Sequence, residues 1–495
     1  MKNQLGVKSP DKRLVERCHL FLSRLVEHRT CIIRQLSDNW KEEMGFWRWL
    51  GNEKVSVEWL LGQILGGNKA KGCVSDRHVL SIQDTSTISF GLWAGRRKQG
   101  LAKVGTSGEG FGFLIHPNLL LDAEDGRCLG LGELAVFDQW VCCGRPQELR
   151  QVEATAKKTG RWLSAGKQVR AHLAAAAQVT HIADREADFY EMLLEFGQNR
   201  QENEHLIVRV QDDRLLGQME GRRKAKYGFK PDEKVQTGDG AETTFPYRTL
   251  LSQLIDRLPV QAEWALHLPT TPKREARCAH VALRYARQVP LRRPKNLYKR
   301  TYQGQALPLF IRINVVDLQE ILPLGATHKP LHWRIYTSHP VENIDQARQI
   351  IQWYCWRWKI ELLFATVKSS GLDLENALVE HAERLKKLAI LVVMAAVQII
   401  QLLQARDGSS QQPILDCFSE EETLLLQQIN PKLEGNTLKQ KNPHTPDSLA
   451  FAAWAIARLG GWKGYKTHRP PGIKTMSRGL TAFFQIKNAS ALLKS

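Results

Sequence analysis

The sequence predicts an α/β protein in which a mixed β-sheet with a β-rich insertion is flanked by helical N- and C-terminal domains. Helix-type apolar spacing covers residues 1–71 and most of 379–495. Short apolar runs alternate with helical segments from 72 to about 210, and strand-like segments then dominate 211–325. With 495 residues and 43% hydrophobic content, the chain is long enough for two to four domains.

Net charge narrows the class of partner. The chain has 70 Lys and Arg against 51 Asp and Glu, a net charge of +19, which indicates a polyanionic partner such as nucleic acid or an anionic membrane. A membrane is the weaker choice, because the longest apolar run, Leu388–Ile400, contains Gln398 and is too short to span a bilayer. We therefore expect nucleic acid as the partner and no membrane.

Cysteine usage and the N-terminal sequence indicate the compartment. The nine cysteines are scattered without CxxC spacing, which is typical of reduced thiols in a cytosol and argues against a zinc site or disulfide framework. The first thirty residues are dense with charge, unlike a signal peptide. The expected location is the cytosol.

The N-terminal segment predicts a small helical domain. Leu14–Leu36 has long apolar spacing, and Asn39–Leu61 is rich in Trp with interleaved Lys and Arg. The basic residues of this segment suit contact with DNA. A packing domain with solvated charges is nearly as well supported by these residues alone.

Two predicted strands end in an aspartate. The apolar run Val79–Asp84 ends at Asp84, and Gln178–Asp184 ends at Asp184. Acids at strand ends lie at the rim of a sheet, where ligand sites form. A turn residue is the alternative for either aspartate taken singly.

The segments around these strands complete a core. A hairpin is predicted from Asn118–Asp122 and Cys128–Phe137, a helix over Arg150–Ala177 and a strand over Glu204–Val210, whereas Arg96–Gly112 is predicted to be a basic, Gly-rich loop. The resulting order β–β–β–α–β–α–β, with acids at two strand ends, is the pattern of an RNase H-like core.

The segment Gln211–Gly325 interrupts this order and predicts a β-rich insertion with one helix, Phe245–Leu258. It contains the most basic part of the chain, with Tyr285 and Tyr298 among the cations, which favours a surface that tracks phosphates over a merely solvated face. The cations are Lys273, Arg274, Arg277, Arg284, Arg287, Arg292, Arg293, Lys295, Lys299 and Arg300.

Gln349–Ser370 is the most informative stretch, and its composition predicts a single helix whose start is capped by Asn343 with Gln346. At 3.6 residues per turn, four polar residues share a wedge of roughly 60° beside an apolar stripe. The polar residues are Tyr354, Arg357, Glu361 and Lys368, and the stripe is Ile351, Cys355, Trp358, Leu362 and Ala365. Three hydrogen-bond donors around the one carboxylate, Glu361, suit the binding of a phosphate chain together with a metal ion. A solvated Glu–Arg pair is the alternative.

Three carboxylates, Asp84, Asp184 and Glu361, can together hold two Mg²⁺ ions, and Mn²⁺ is expected to substitute. Two such ions promote in-line displacement at a phosphodiester by activating the attacking oxygen and stabilising the leaving oxygen. A site of carboxylates without His or Cys is chemically consistent with these hard cations. The sequence therefore predicts phosphodiester chemistry on DNA.

These residues resemble the DDE cut-and-paste transposases of the insertion-sequence-four family, transposon-five type. The similarity rests on Asp84 in IQDTS, Asp184 in the DREAD box and the spacing Y-x2-R-x3-E-x6-K from Tyr354 to Lys368. It extends from about Asn39 into the C-terminal helices. The resemblance implies a metal-dependent endonuclease that nicks, forms and opens a hairpin, and joins a 3′-hydroxyl to target DNA.

The resemblance also implies contacts with DNA. Tyr354, Arg357 and Lys368 correspond to residues that grip terminal phosphates, and Trp333 to the one that stacks on a flipped base. Arg209 matches a basic DNA contact, whereas Gln211 stands where a Lys is expected. Further DNA contacts are assigned to Trp358, Arg292 and Arg293. The expected partners are the terminal inverted repeats and target DNA, bound by a homodimer that cuts in trans.

The predicted division is a helical DNA-binding domain over 1–71, an RNase H-like catalytic domain over 72–378 with the insertion at about 211–325, and a helical domain over 379–495. The last segment contains a core helix at Glu380–Gln404, a linker at Asn430–Asp447, and two amphipathic helices, Ser448–Leu459 and Leu480–Leu493. These helices pair between subunits or cover their own core, and the sequence leaves both open.

Other functions remain as alternatives. One is an RNase H-like DNA nuclease that cuts without strand transfer, and another is an inactive DNA-binding descendant, although all three acids are present. A carboxylate-pair hydrolase of uncharged substrates is disfavoured by the charge of +19.

Overall fold

The structure, a computed structural model, describes residues 11–65, 74–91, 98–104, 110–138, 159–217, 233–237, 240–246, 248–268, 277–297, 300–322, 328–368, 372–408, 412–464 and 471–494. The described helices are α1 Lys12–His28, α2 Ile33–Leu36, α3 Trp40–Leu50, α4 Val57–Leu65, α5 Gly160–His172, α6 Tyr190–Met192 with a π-helical continuation Leu193–Gln198, α7 Leu251–Arg257, α8 Ile344–Trp356, α9 Lys359–Lys368, α10 Ala382–Gln404, α11 Glu420–Leu433, α12 Leu449–Leu459 and α13 Ile473–Lys494.

The strands fall mainly in the middle of the chain. They are β1 His78–Gln83, β2 Ser86–Phe90, β3 Ala102–Val104, β4 Gly110–Asp122, β5 Cys128–Phe137, β6 Gln178–Ala183, β7 Glu204–Arg209, β8 Glu233–Thr237, β9 Glu242–Phe245, β10 Ala262–Leu268, β11 Arg277–Arg292, β12 Thr301–Tyr302, β13 Gln305–Ala306, β14 Phe310–Glu320 and β15 His332–Thr337.

Contacts within the chain divide it into two compact units. Unit 1 comprises Met1–Val74, Thr85–Gln139 and Lys359–Ser495, and unit 2 comprises Ser75–Asp84 and Trp140–Trp358. This grouping joins segments that are distant along the chain, whereas the predicted three domains follow one another in sequence. The three-domain division stays a prediction.

Unit 2 is built on a mixed sheet in the order β1-β6-β7-β15-β14-β11-β8-β9, with β10 also paired to β11. The strands β1, β6 and β7 are parallel, and all other pairs in this unit are antiparallel. The parallel strands are buried along almost their whole length, as expected for strands covered on both faces. The predicted strands at Val79, Gln178, Glu204 and His332 are confirmed.

The insertion contributes to the same core as the parallel strands. Trp162 of α5 and Phe196 after α6 pack in one apolar cluster with Phe245, Leu254 and Ile313 of the insertion. All five side chains are almost fully buried. At about 25 cal/mol per Å² of apolar surface removed from water, burial of such side chains is the main stabilising term of the unit. The segment 211–325, predicted to be an insertion, is thus packed into the body of unit 2.

Unit 1 combines helices from both ends of the chain with four strands. Of these, β4 pairs antiparallel with β2, β3 and β5. The helix α10 is apolar around most of its circumference and packs against α1 and β5. The predicted core helix Glu380–Gln404 and the predicted hairpin of β4 and β5 are confirmed.

One described helix, α10, meets the length and composition of a membrane-spanning helix. It extends beyond the predicted apolar run Leu388–Ile400 at both ends, and 83% of its most apolar window is buried inside the protein. The core helix of a globular protein has the same properties.

Three predicted elements are wrong in part. The predicted loop Arg96–Gly112 contains β3 and the start of β4, because antiparallel pairing gives this Gly-rich segment hydrogen-bond partners. The predicted linker Asn430–Asp447 begins inside α11 and includes a 3₁₀ turn, Leu438–Gln440. The helix predicted over Arg150–Ala177 is described as the shorter α5, and its first residues lie outside the described ranges.

The single helix predicted over Gln349–Ser370 is wrong. The chain forms α8, a turn at Arg357 and Trp358, and then α9, so the four polar residues do not share one continuous helical face. Trp358 is 51% exposed and is not part of an apolar stripe. The predicted cap is confirmed, since Asn343 Oδ1 accepts the Gln346 amide at 2.9 Å.

Candidate active site

The carboxyl ends of the three parallel strands lie side by side at one edge of the unit 2 sheet. Ile82 of β1 pairs with Ile182 of β6. Asp84 and Asp184 each come two residues after their member of this pair, so they occupy equivalent positions. Adjacent strands are about 4.8 Å apart. The next strand, β7, ends at Arg209. This edge therefore presents two acids and one guanidinium from successive strands.

Asp84 is paired with a cation within unit 2. Arg357 Nη1 donates to Asp84 Oδ2 at 3.0 Å, and the two side chains are 9% and 16% exposed. The guanidinium also lies 5.9 Å from the ring centroid of Tyr354 and 5.8 Å from that of Trp358. Such aromatic faces favour a nearby cation. The turn between α8 and α9 thus directs Arg357 toward the end of β1.

Asp184 is held by the backbone. Its Oδ1 accepts the Glu186 amide at 2.9 Å and caps the 3₁₀ turn Arg185–Ala187. Arg161 at the start of α5 donates to the Glu186 carboxylate and interacts electrostatically with both Asp184 and Asp84. Burial lowers the pKa of Arg161, and these three acids act in the opposite direction. Arg161 therefore supplies a second buried positive charge beside the two acids.

Tyr354 lies near side chains at the ends of both β6 and β7. Its side chain is 2% exposed, and its phenol interacts electrostatically with Arg357, Arg209 and Asp184. Burial raises the pKa of Tyr354 and lowers that of Arg209. A neutral phenol among guanidinium groups can donate a hydrogen bond to a phosphate oxygen.

Trp333 is covered in this structure. It is 8% exposed, and its ring meets the Tyr354 ring edge-on with a centroid distance of 5.6 Å. On the strand that carries Trp333, β15, the carbonyl of His332 accepts a hydrogen bond from Arg209 Nη2 at 2.9 Å. Stacking of a base on Trp333 would therefore require uncovering of the ring, and the assignment stays a prediction.

Glu361 and Lys368 belong to unit 1. Glu361 is an exposed residue in the first turn of α9, and Lys368 is the last residue of that helix. Lys368 Nζ lies 3.8 Å from the Glu375 carboxylate. Among the described residues, no three His, Cys, Asp or Glu side chains are grouped as metal ligands. Convergence of Glu361 with Asp84 and Asp184 stays a prediction.

The basic segment of the insertion is described in part. Arg292 ends β11, and Arg293 donates to the Leu307 carbonyl, so this guanidinium also serves the packing of the insertion. Lys273, Arg274, Tyr298 and Lys299 lie outside the described residues. The DNA contacts assigned to this segment stay predictions.

Arg161 is the residue that sequence reasoning missed. It was included in a predicted helix but not assigned to a site. A helix that leads into a parallel strand runs antiparallel to it and begins at the carboxyl edge of the sheet, where Asp84 lies. A basic residue at the start of such a helix was therefore the available signal.

No protein-family model matches the chain. Among solved structures, the chain is similar to a piggyBac transposase determined by cryo-EM in a synaptic complex with hairpin DNA, with a TM-score of 0.34 and 8% identity. The similarity covers 98% of this chain and 76% of that chain. Similarity at this level identifies neither the fold family nor the activity of this chain.

Proposed function

We propose that this chain is a DDE-type DNA transposase with an RNase H-like catalytic core, which cleaves transposon ends and joins them to target DNA. The observation that carries the proposal is the position of Asp84 and Asp184 at equivalent ends of adjacent parallel strands. The carboxyl edge of a sheet is where ligand sites form in α/β proteins. A net charge of +19 supports a polyanionic substrate.

The residues around the two acids suit a phosphodiester. Arg357, Arg209 and Tyr354 supply hydrogen-bond donors close to Asp84 and Asp184. Guanidinium groups bind phosphate oxygens with matched geometry. In the proposed reaction these donors hold the phosphate while a water or 3′-hydroxyl oxygen forms the new P–O bond and the former ester oxygen leaves. Lys368 would bind the phosphate next to it.

The donor chemistry fits a hard divalent cation. Asp84 and Asp184 offer carboxylate oxygens, which Mg²⁺ and Mn²⁺ prefer, and a side-chain cation, Arg357, already lies against Asp84. Glu361 would complete the set from α9. When bound, two such ions would activate the attacking oxygen and stabilise the leaving oxygen. Asp84, Asp184 and Glu361 would hold and orient these ions.

The finer assignment follows the resemblance to the transposon-five type. It includes nicking, hairpin formation and opening, a homodimer on two transposon ends, and action in the bacterial cytoplasm. In that reading Trp333 accepts a flipped base after its ring is uncovered, and Trp358, Arg292 and Arg293 contact DNA.

The primary test is cleavage of a duplex that carries the inverted repeats flanking the gene, with Mg²⁺. Asp84→Ala, Asp184→Ala and Glu361→Ala should each abolish cleavage, because each removes a proposed metal donor, while end binding in a gel-shift assay persists. Glu202→Ala, which removes an exposed acid in unit 2, is the matched control and should cleave normally. Metal-dependent nicking by any of the three variants contradicts the site.

A second assay separates the transposase from a nuclease. Pre-cut ends with free 3′-hydroxyls are mixed with supercoiled plasmid, and the joined products are counted. A transposase produces joined molecules, whereas cleavage without any joining would identify the nuclease alternative.

A further inference from the structure

We propose that in the DNA-free protein the Arg357 guanidinium occupies the place of a cation at Asp84, so that a DNA phosphate that draws Arg357 away opens the site to a divalent metal ion. This inference rests on the proposed function and adds a coupling between DNA binding and metal binding. Its basis is the ion pair between Arg357 and Asp84 within unit 2.

The geometry gives this ion pair an unusual position. Arg357 lies in the turn that separates α8 from α9, and it contacts Asp84, which is 273 residues away along the chain. Both partners are mostly buried, so solvent screens their attraction less than that of a surface pair. The negative charge of Asp84, at the end of β1, is therefore compensated by Arg357.

The two acids differ in this respect. Asp184 accepts a backbone amide, and the cation near it, Arg161, donates its hydrogen bond to Glu186. Asp84 instead pairs with a full positive charge carried by a long side chain that can adopt another position. A divalent cation at Asp84 would meet this guanidinium at short range, and like charges repel. Metal binding at Asp84 is therefore weakened while Arg357 stays paired with it.

A phosphate supplies the alternative partner for Arg357. Arginine binds phosphate in a bidentate manner, and the aromatic rings of Tyr354 and Trp358 lie within 6 Å of the guanidinium. A phosphate at this edge thus competes with Asp84 for Arg357. Because linkage is reciprocal, DNA strengthens metal binding and metal strengthens binding of the DNA end.

The test measures Mn²⁺ affinity without activity, by electron paramagnetic resonance of free Mn²⁺ titrated with the full-length, DNA-free protein. Arg357→Gln and Arg357→Met should bind Mn²⁺ at least about tenfold more tightly than the wild type, within the usual range of coupling factors. Arg348→Gln removes an exposed arginine of α8 and is the matched control. The gain should vanish in Arg357→Gln combined with Asp84→Asn.

A wild-type measurement keeps the proposal falsifiable if neither variant folds. Phenylglyoxal modification of arginines is mapped by peptide mass spectrometry with and without Mn²⁺. Release from Asp84 should increase modification of Arg357 in Mn²⁺ and leave that of Arg348 unchanged.

Failure of this inference differs from failure of the proposed function. If the protein cleaves its ends while Arg357→Gln binds Mn²⁺ no more tightly than the wild type, or not at all, the coupling is wrong and the function stands. Unchanged modification of Arg357 in Mn²⁺ also overturns the coupling. If no cleavage or joining occurs while the tenfold gain is found, the function is wrong and Arg357 still competes with cations at Asp84.

Discussion

Asp84 and Asp184 occupy equivalent strand ends yet have different neighbours. A backbone amide orients Asp184, whereas the side chain of Arg357 compensates Asp84. Arg161 is the residue that interacts with both acids. Because its side chain is 5% exposed and donates to Glu186, its charge is held in one place beside the sheet edge.

Arg161 is therefore expected to act as a positioning residue. Arg161→Gln should lower metal-dependent cleavage by roughly 10- to 100-fold, the usual effect of removing a group that supports metal ligands. Arg161→Lys, which keeps the charge, should restore part of that loss. The measurement is the cleavage rate as a function of Mg²⁺ concentration. Equal loss in both variants with a lowered melting temperature would indicate only a packing role.

At the scale of elements, the opposite edge of the same sheet contains three neighbouring histidines, of which His205 and His339 are buried. His78 begins β1, His205 lies near the start of β7, and His339 follows β15. Thr180 bridges His78 and His339, and the rings of His205 and His339 stack with centroids 3.8 Å apart. Neutral imidazoles tolerate this contact, whereas two charged rings would repel each other.

These histidines predict acid sensitivity of unit 2. Burial lowers the pKa of His205 from 6.5 to about 4, with Arg200 acting in the same direction and Glu204 against it. Burial also places the pKa of His339 well below its usual value. Between pH 6.5 and 4 the unfolded chain binds the proton and the folded chain does not. Stability is therefore full above pH 6.5 and lost as the pH falls toward 4.

The expected loss attributable to His205 is roughly 1–3 kcal/mol in the free energy of unfolding. It is measured by urea unfolding at several pH values for the wild type and His205→Gln. The variant should lose less stability on acidification than the wild type. Equal pH slopes in the two proteins would contradict a buried neutral His205.

At the scale of the whole molecule, net charge decides how the chain meets its proposed substrate. A net charge of +19 attracts any duplex DNA, whereas the proposed site at the sheet edge would act only on a phosphate that reaches it. Affinity for DNA should therefore contain a large part that is independent of sequence.

Salt dependence tests this expectation. Binding of a fluorescent duplex should weaken by at least about 10³-fold between 50 and 200 mM salt, because a protein with six or more phosphate contacts releases that many counterions. An unrelated duplex should show a similar slope in fluorescence anisotropy. An affinity that does not change with salt would contradict the proposed phosphate contacts.

Local sequence patterns determined most elements of this protein. The period of apolar residues predicted the strands before Asp84 and Asp184, the strand-rich segment 211–325 and the helix α10, and the Asn343 cap followed from local hydrogen bonding. These features depend on neighbours within a few residues, which a sequence displays directly.

Only the tertiary structure decided the surroundings of the site. The turn at Arg357, the ion pair with Asp84, the position of Arg161 and the burial of Trp333 all depend on residues far apart along the chain. Helix propensity favoured an uninterrupted helix through Arg357, but propensity is worth less than about 1 kcal/mol per residue, and tertiary contacts override it. Patterns along the sequence therefore determine where elements form, whereas long-range charge pairing decides which side chains meet.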